Sequence, residues 1–126
     1  MAELGSVERN GLIAGDYPTK TEAITITGPA EFKRGDVVGV TDAGVYALAD
    51  SSKSDGSQNA VGIICDDIIV EDGATAESVM YVKGEFINRF LQFGGTDTAD
   101  KHKRHMTAIG LIVRDSKVEG GKYSWQ

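Results

Sequence analysis

This chain is short of the devices that hold very small or membrane-bound proteins together. Its single cysteine, Cys65, excludes an intrachain disulfide. No apolar run approaches the ~18 residues of a membrane span. The opening stretch MAELGSVERN has no apolar core of the signal-peptide kind, so neither a membrane anchor nor a secretory leader is expected. Positive charge is also scarce: thirteen Lys and Arg stand against nineteen Asp and Glu, a net charge of −6. Nucleic acid and anionic membrane bind through clustered cations, so this balance argues against both as direct partners.

What is present suits one globular domain. The chain has 126 residues, 40% of them apolar, enough to bury a core without metals or disulfides. Its sixteen glycines are nearly twice the average usage of ~7% and occur mostly singly, as tight turns require. Charge is uneven. Residues 97–126 hold six Lys or Arg against four Asp or Glu, so residues 1–96 carry −8. Cys65 lies in the apolar run VGIICDDIIV with no cation beside it and reads as a small core residue, not a reactive thiol.

Three segments follow from the patterning. Residues 1–20 lack helical or strand periodicity, are interrupted by Gly5, Gly11, Gly15 and Pro18, and read as a flexible N-terminal arm. Residues 21–115 read as the folded domain. TEAITIT alternates as a half-buried strand, GPAEFKRG is a turn-rich connection, and DVVGV, GVYALA, AVGIICDDIIV and SVMYVKGEFINRFL are β-rich runs. The Asp, Gly, Ser and Asn clusters between them are turn chemistry. One stretch is helical: in GTDTADKHKRHMTAIG, Thr96 or Asp97 is the expected N-cap and Ala99, His102, Met106 and Ile109 form the apolar stripe. Gly110 closes that helix, LIVRD is a last strand, and residues 116–126 are a polar tail. The fold class is mainly β with one short helix near the C-terminus.

Candidate chemistry is sparse. His102 and His105, three apart on the helix, could chelate a metal. No carboxylate or thiol shares their face and three cations crowd them, so a solvated face is the expectation. Asp66-Asp67 and Glu71-Asp72 are adjacent pairs that a strand would send to opposite faces, so neither is a ready-made acid–base dyad. No calcium loop, phosphate-binding glycine loop or G-x-S-x-G elbow is present, so no catalytic residue, metal or cofactor is expected. Arg34-Gly35-Asp36 spells a cell-adhesion tripeptide. Average composition produces it in roughly 3% of chains this long, and it stands where a turn meets the strand DVVGV, so a structural turn is expected.

The order of the pieces says more than any one of them. A basic-glycine turn opens a strand (Lys33, Arg34, Gly35), a Gly–aromatic hairpin follows (Gly44, Tyr46), and an Asp-Gly loop leads into AVGIIC. Then comes a V-x-G-x-F-x-N segment (Val82, Gly84, Phe86, Asn88), a helix and IGLIVR. From Thr21 to Arg114 this resembles the head decoration proteins of tailed bacteriophages, the family typified by the phage lambda decoration protein. Ile64-Cys65 replaces the leucine usual after Gly-Ile, and the tail beyond Arg114 has no counterpart.

The resemblance implies a β-clip (β-tulip) fold and a homotrimer. It implies a position on the outer surface of the expanded head, in the virion, at threefold and local threefold sites. There the trimer would bind the major capsid protein and cement the shell against packaged DNA. It further implies that the arm orders on the capsid, with Leu12, Ile13, Tyr17, Pro18 and Thr19 as its contacts. Two other readings compete. A trimeric dUTPase-like β-clip enzyme would need a Gly-Val-Asp-x-x-Tyr strand and a Gly-rich C-terminal motif, which GDYPTK and GGKYSW only echo. A small adhesin would use Arg34-Gly35-Asp36.

Overall fold

The computed structural model describes residues 18–115 and, beyond them, the short strands Lys117–Glu119 and Lys122–Ser124. Its framework is a sheet with both faces covered, and the apolar runs explain why. Strand β1 (Lys20–Thr27) alternates, burying Ile24 and Ile26 on one side. In β3 (Val37–Val40), β5 (Gly62–Ile64) and the middle of β7 (Thr75–Ile87), successive residues are apolar instead. Neighbours in a strand point to opposite faces, so each such pair feeds two cores. Val37, Ile63 and Tyr81 join Phe86, Met106 and Leu111 on one side. Val38, Ile64 and Met80 join Ile24, Ile26, Phe32 and Val70 on the other.

The strand order of the main sheet is β1-β7-β5-β3-β4, where β4 is Tyr46–Leu48, and every pairing along that path is antiparallel. β1 and β4 form the two ends of this path. Strand β8 (Leu111–Arg114) pairs in parallel with the last four residues of β7. A parallel pair needs a long crossover, and residues 88–110 supply it through a 3₁₀ turn (Asn88–Phe90) and helix α1 (Ala99–Ala108). The helix lays Ala99, His102 and Met106 onto the first core. Over the second core lies a two-stranded ribbon of β2 (Ala30–Phe32) and β6 (Ile68–Val70), which contributes Phe32 and Val70.

Several boundaries differ from the sequence expectation. The 28–35 connection contains β2, because Phe32 finds a buried site and Ala30–Phe32 can pair with β6. The run AVGIICDDIIV is two strands, not one. It breaks at Cys65–Asp67, so Asp66 and Asp67 lie in the connection between β5 and β6. The helix has Thr98 as its N-cap, in place of the expected Thr96 or Asp97, and Thr98 makes no side-chain capping bond; the Asp97 carboxylate is engaged by Ser51 and His102. Ile109, expected on the buried stripe, is 40% exposed just past the last helical turn. The expected polar tail holds two short strands, β9 (Lys117–Glu119) and β10 (Lys122–Ser124), which pair antiparallel.

Met106 is fully buried on the core face of the helix, and truncating it leaves a cavity. Met106→Ala should cost about 2–5 kcal/mol of unfolding free energy, read from urea denaturation followed by circular dichroism.

Candidate functional site

The segment around Arg34-Gly35-Asp36 is a crossing point of backbone. Gly35 donates its amide to the Ile64 carbonyl at 3.0 Å, and its own carbonyl accepts from the Gln92 amide at 3.1 Å. The next residues continue the pattern: Ile64 N–H donates to the Asp36 carbonyl at 2.8 Å and Val37 N–H to the Gln92 carbonyl at 2.9 Å. Asp36 and Gln92 thus form an isolated parallel bridge. Gly35 has φ +97°, and a Cβ there would collide with the Phe90 carbonyl oxygen. Both facts require glycine.

The flanking charges turn inward. The Arg34 guanidinium donates to the Cys65 carbonyl at 2.8 Å and to the Tyr81 hydroxyl at 3.1 Å, with its carbon 5.7 Å from the Tyr81 ring centre. The Arg34 amide donates to Asp67 Oδ1 at 2.8 Å. Asp36, 7% exposed, accepts the Lys33 amide on Oδ2 at 2.8 Å. An adhesion ligand must present both charged ends at a loop tip, and here both are engaged within the fold. Beside them is a cleft of ≈ 600 Å³ whose walls include Glu31, Lys33, Leu48, Asp67 and Gln92. Its carboxylates at Asp36 and Asp67 are occupied by backbone amides and form no free acid–base pair.

Burial raises the pKa of Asp36 above its ordinary value, against the pull of the Lys33 amide and ammonium. Cys65 is likewise pushed up to about 11, first by burial and then by the charge of Asp66. A thiol held so high is inert at neutral pH.

A second polar group ties α1 to the loop after β4. Asp97 accepts from the Ser51 amide at 2.6 Å and the Ser51 hydroxyl at 2.9 Å, and lies 2.7 Å from His102 Nε2. His102 is 2% exposed and stacks on Phe93 with ring centres 4.9 Å apart. The solvated-face expectation for His102 is therefore wrong. The ring is a core residue because a carboxylate 5 positions earlier and an aromatic face satisfy its polar and flat surfaces. His105 Nε2 lies 3.0 Å from the Ala60 carbonyl. Ser51, Asp97 and His102 do not make a catalytic relay, since the hydroxyl bonds to the carboxylate and not to the imidazole. The Ser51 amide, then His102 and the Ser51 hydroxyl, hold the Asp97 carboxyl below its ordinary value. Its stabilisation is present above pH 3.8 and lost as pH falls through the lowered pKa. Among the described residues no group of three or more His, Cys, Asp or Glu is placed to hold a metal ion.

The family model for the bacteriophage lambda head decoration protein D matches residues 7–111. The chain belongs to this family. Its members are structural proteins of the phage head, which places this chain among capsid-decorating proteins of the virion. No curated protein sequence matches the chain. The match ends at Leu111, so most of β8 and the β9–β10 pair lie beyond it.

Of the arm residues named for this decoration protein, Leu12, Ile13 and Tyr17 lie outside the described residues. Pro18 and Thr19 are exposed and run directly into β1. Sequence reading missed Gln92 and Ser51. Gln92 acts through its backbone and Ser51 through its amide and hydroxyl, on partners far along the chain that no local signal marks.

Two outcomes test the crossing point. Gly35→Ala should lose about 2 kcal/mol or more, from the left-handed backbone and the Phe90 collision together, measured by denaturant titration. Asp36 is an acid with a raised pKa, so the stability it contributes is full below pH 3.8 and lost as pH rises through its folded value. Asp36→Asn keeps an acceptor for the Lys33 amide without the buried charge. Its melting temperature should equal or exceed that of the parent at neutral pH, and the advantage should vanish on acidification below 3.8.

Proposed function

We propose that this chain decorates the outer surface of an expanded phage head as a homotrimer of β-clip (β-tulip) subunits, bound to the major capsid protein at threefold and local threefold positions. The family match over residues 7–111 carries this reading. Three linked copies bind the shell together, and linkage can raise avidity ~10²–10⁴ over one weak contact. The trimer thereby clamps neighbouring capsid subunits against the outward pressure of packaged DNA.

The arm is the capsid contact in this proposal, with Leu12, Ile13, Tyr17, Pro18 and Thr19 as its anchors. Its exit favours that role. β1 is an end strand of the sheet path, and Pro18 and Thr19 leave from its start in an exposed position. An extended arm can add a strand to a capsid-protein edge, drawing affinity from main-chain hydrogen bonds. Ile69, 71% exposed on the outer face of the β2–β6 ribbon, supplies a further apolar contact for the shell or a neighbouring subunit.

The test is decoration of isolated phage heads by the full chain and by a truncation lacking residues 2–18. The full chain should sediment as a trimer, bind expanded heads, leave unexpanded proheads bare and raise the heat resistance of filled heads. The truncation should remain a folded trimer, since the first core strand begins at Lys20, yet bind heads more weakly. Equal decoration by both proteins would remove the arm from the mechanism. A full chain that binds no head would remove the proposal itself.

A further inference from the structure

Two Asp-Gly dipeptides, Asp55-Gly56 and Asp72-Gly73, sit in turns of very different construction. At the first, Asp55 Oδ1 accepts from the Ser57 hydroxyl at 2.6 Å and the Ser57 amide at 3.0 Å, and Ser57 is buried. The Gly56 amide, which would have to attack that carboxyl, donates to Gln58 Oε1 at 2.8 Å. Electrophile and nucleophile are both held. At the second, Asp72 and Gly73 are exposed, and neither the Asp72 carboxylate nor the Gly73 amide has a hydrogen-bond partner among the described residues. Space around the Gly73 Cα is open, with nothing within 4 Å of a built Cβ.

We infer that Asp72 is a site of spontaneous covalent modification, isomerising to isoaspartate through a succinimide, while Asp55 is protected by its turn. The Gly73 nitrogen attacks the Asp72 side-chain carboxyl carbon. The new C–N bond forms as the C–O bond breaks, and the oxygen leaves as water with the amide proton. One water then opens the ring. Opening at the main-chain carbonyl leaves the chain running through the former side chain, with no net change in mass. Glycine favours the cyclisation because it has no side chain to obstruct the approach and its backbone is permissive.

The change has a structural consequence. The turn is closed by the Ala74 amide on the Glu71 carbonyl at 3.0 Å, and the Ala74 carbonyl accepts from Gly28 at 2.8 Å. Gly28, which follows β1, packs so close that any Cβ there would strike the Glu71 carbonyl. An extra methylene in the backbone between Glu71 and Ala74 pushes against that contact and loosens the corner where β1 passes into the β2–β6 ribbon.

Purified full-length protein is aged for several weeks at physiological temperature and neutral pH, then digested with trypsin. Both sites fall in the single peptide 54–83, so electron-transfer fragmentation compares them at equal recovery. Isoaspartate should accumulate several-fold faster at Asp72 than at Asp55, and the two rates should converge when the chain is aged unfolded in urea. Labelling of the tryptic peptide 54–83, which excludes the Asn10-Gly11 pair, by an isoaspartyl methyltransferase with S-adenosylmethionine should rise with age and fall sharply in Asp72→Glu, whose longer side chain closes the ring poorly. The aged fraction should melt at lower temperature than fresh protein. Isomerisation at Asp55 as fast as at Asp72 in the native protein, or none at Asp72 under conditions that modify both sites in urea, would overturn the inference.

Discussion

The backbone at Gly35 is the constraint on which the rest of this domain depends. It lies between the Ile64 carbonyl and the Gln92 amide with the Phe90 carbonyl pressed against its Cα. Only a residue without Cβ and at ease at positive φ fits there. Because that one position holds, the start of β3, the end of β5 and the segment after the 3₁₀ turn are locked together. Arg34 and Asp36 are consequently pulled inward onto Cys65, Tyr81 and Lys33. A tripeptide that spells an adhesion signal is here a junction between strands.

From that junction the sheet presents two apolar faces, and a chain of this size has few elements with which to cover them. Helix α1 and β8 close one side, and the β2–β6 ribbon closes the other. The covers use most of the described chain, and what remains at the margins is the end strand β1 with Pro18 and Thr19 before it, and the outer face of the ribbon, where Ile69 is exposed. A protein that decorates a shell needs no deep pocket, and in the cleft beside Arg34 the carboxylates of Asp36 and Asp67 already accept backbone amides.

Three polar side chains withdrawn from solvent have partners in place. Asp36 accepts the Lys33 amide within its own turn, while Asp97 bonds His102 on α1 and Ser51 in the loop after β4, and so holds that loop against the helix. Burial raises the pKa of Asp36, while bonding lowers that of Asp97, so the two carboxylates titrate with opposite effects on stability. Asp97 serves the loop at Ser51 instead of capping α1. It collects three polar contacts there, whereas the cap position offers one or two.

Local physics determined a good deal of this protein from its sequence. The alternation in β1, the doubled apolar pairs of the central strands, the helix with its C-terminal Gly110 and the order of elements that resembles the decoration family were all readable, because each depends on neighbours a few residues away. Tertiary structure alone decided the partners. β2 exists because Phe32 finds the core it shares with Val70, His102 is buried because Asp97 and Phe93 meet it, and Gly35 is irreplaceable because Phe90 passes over it. Those pairings join residues from 5 to 55 positions apart, and a chain records the chemistry of each member without recording which ones will touch.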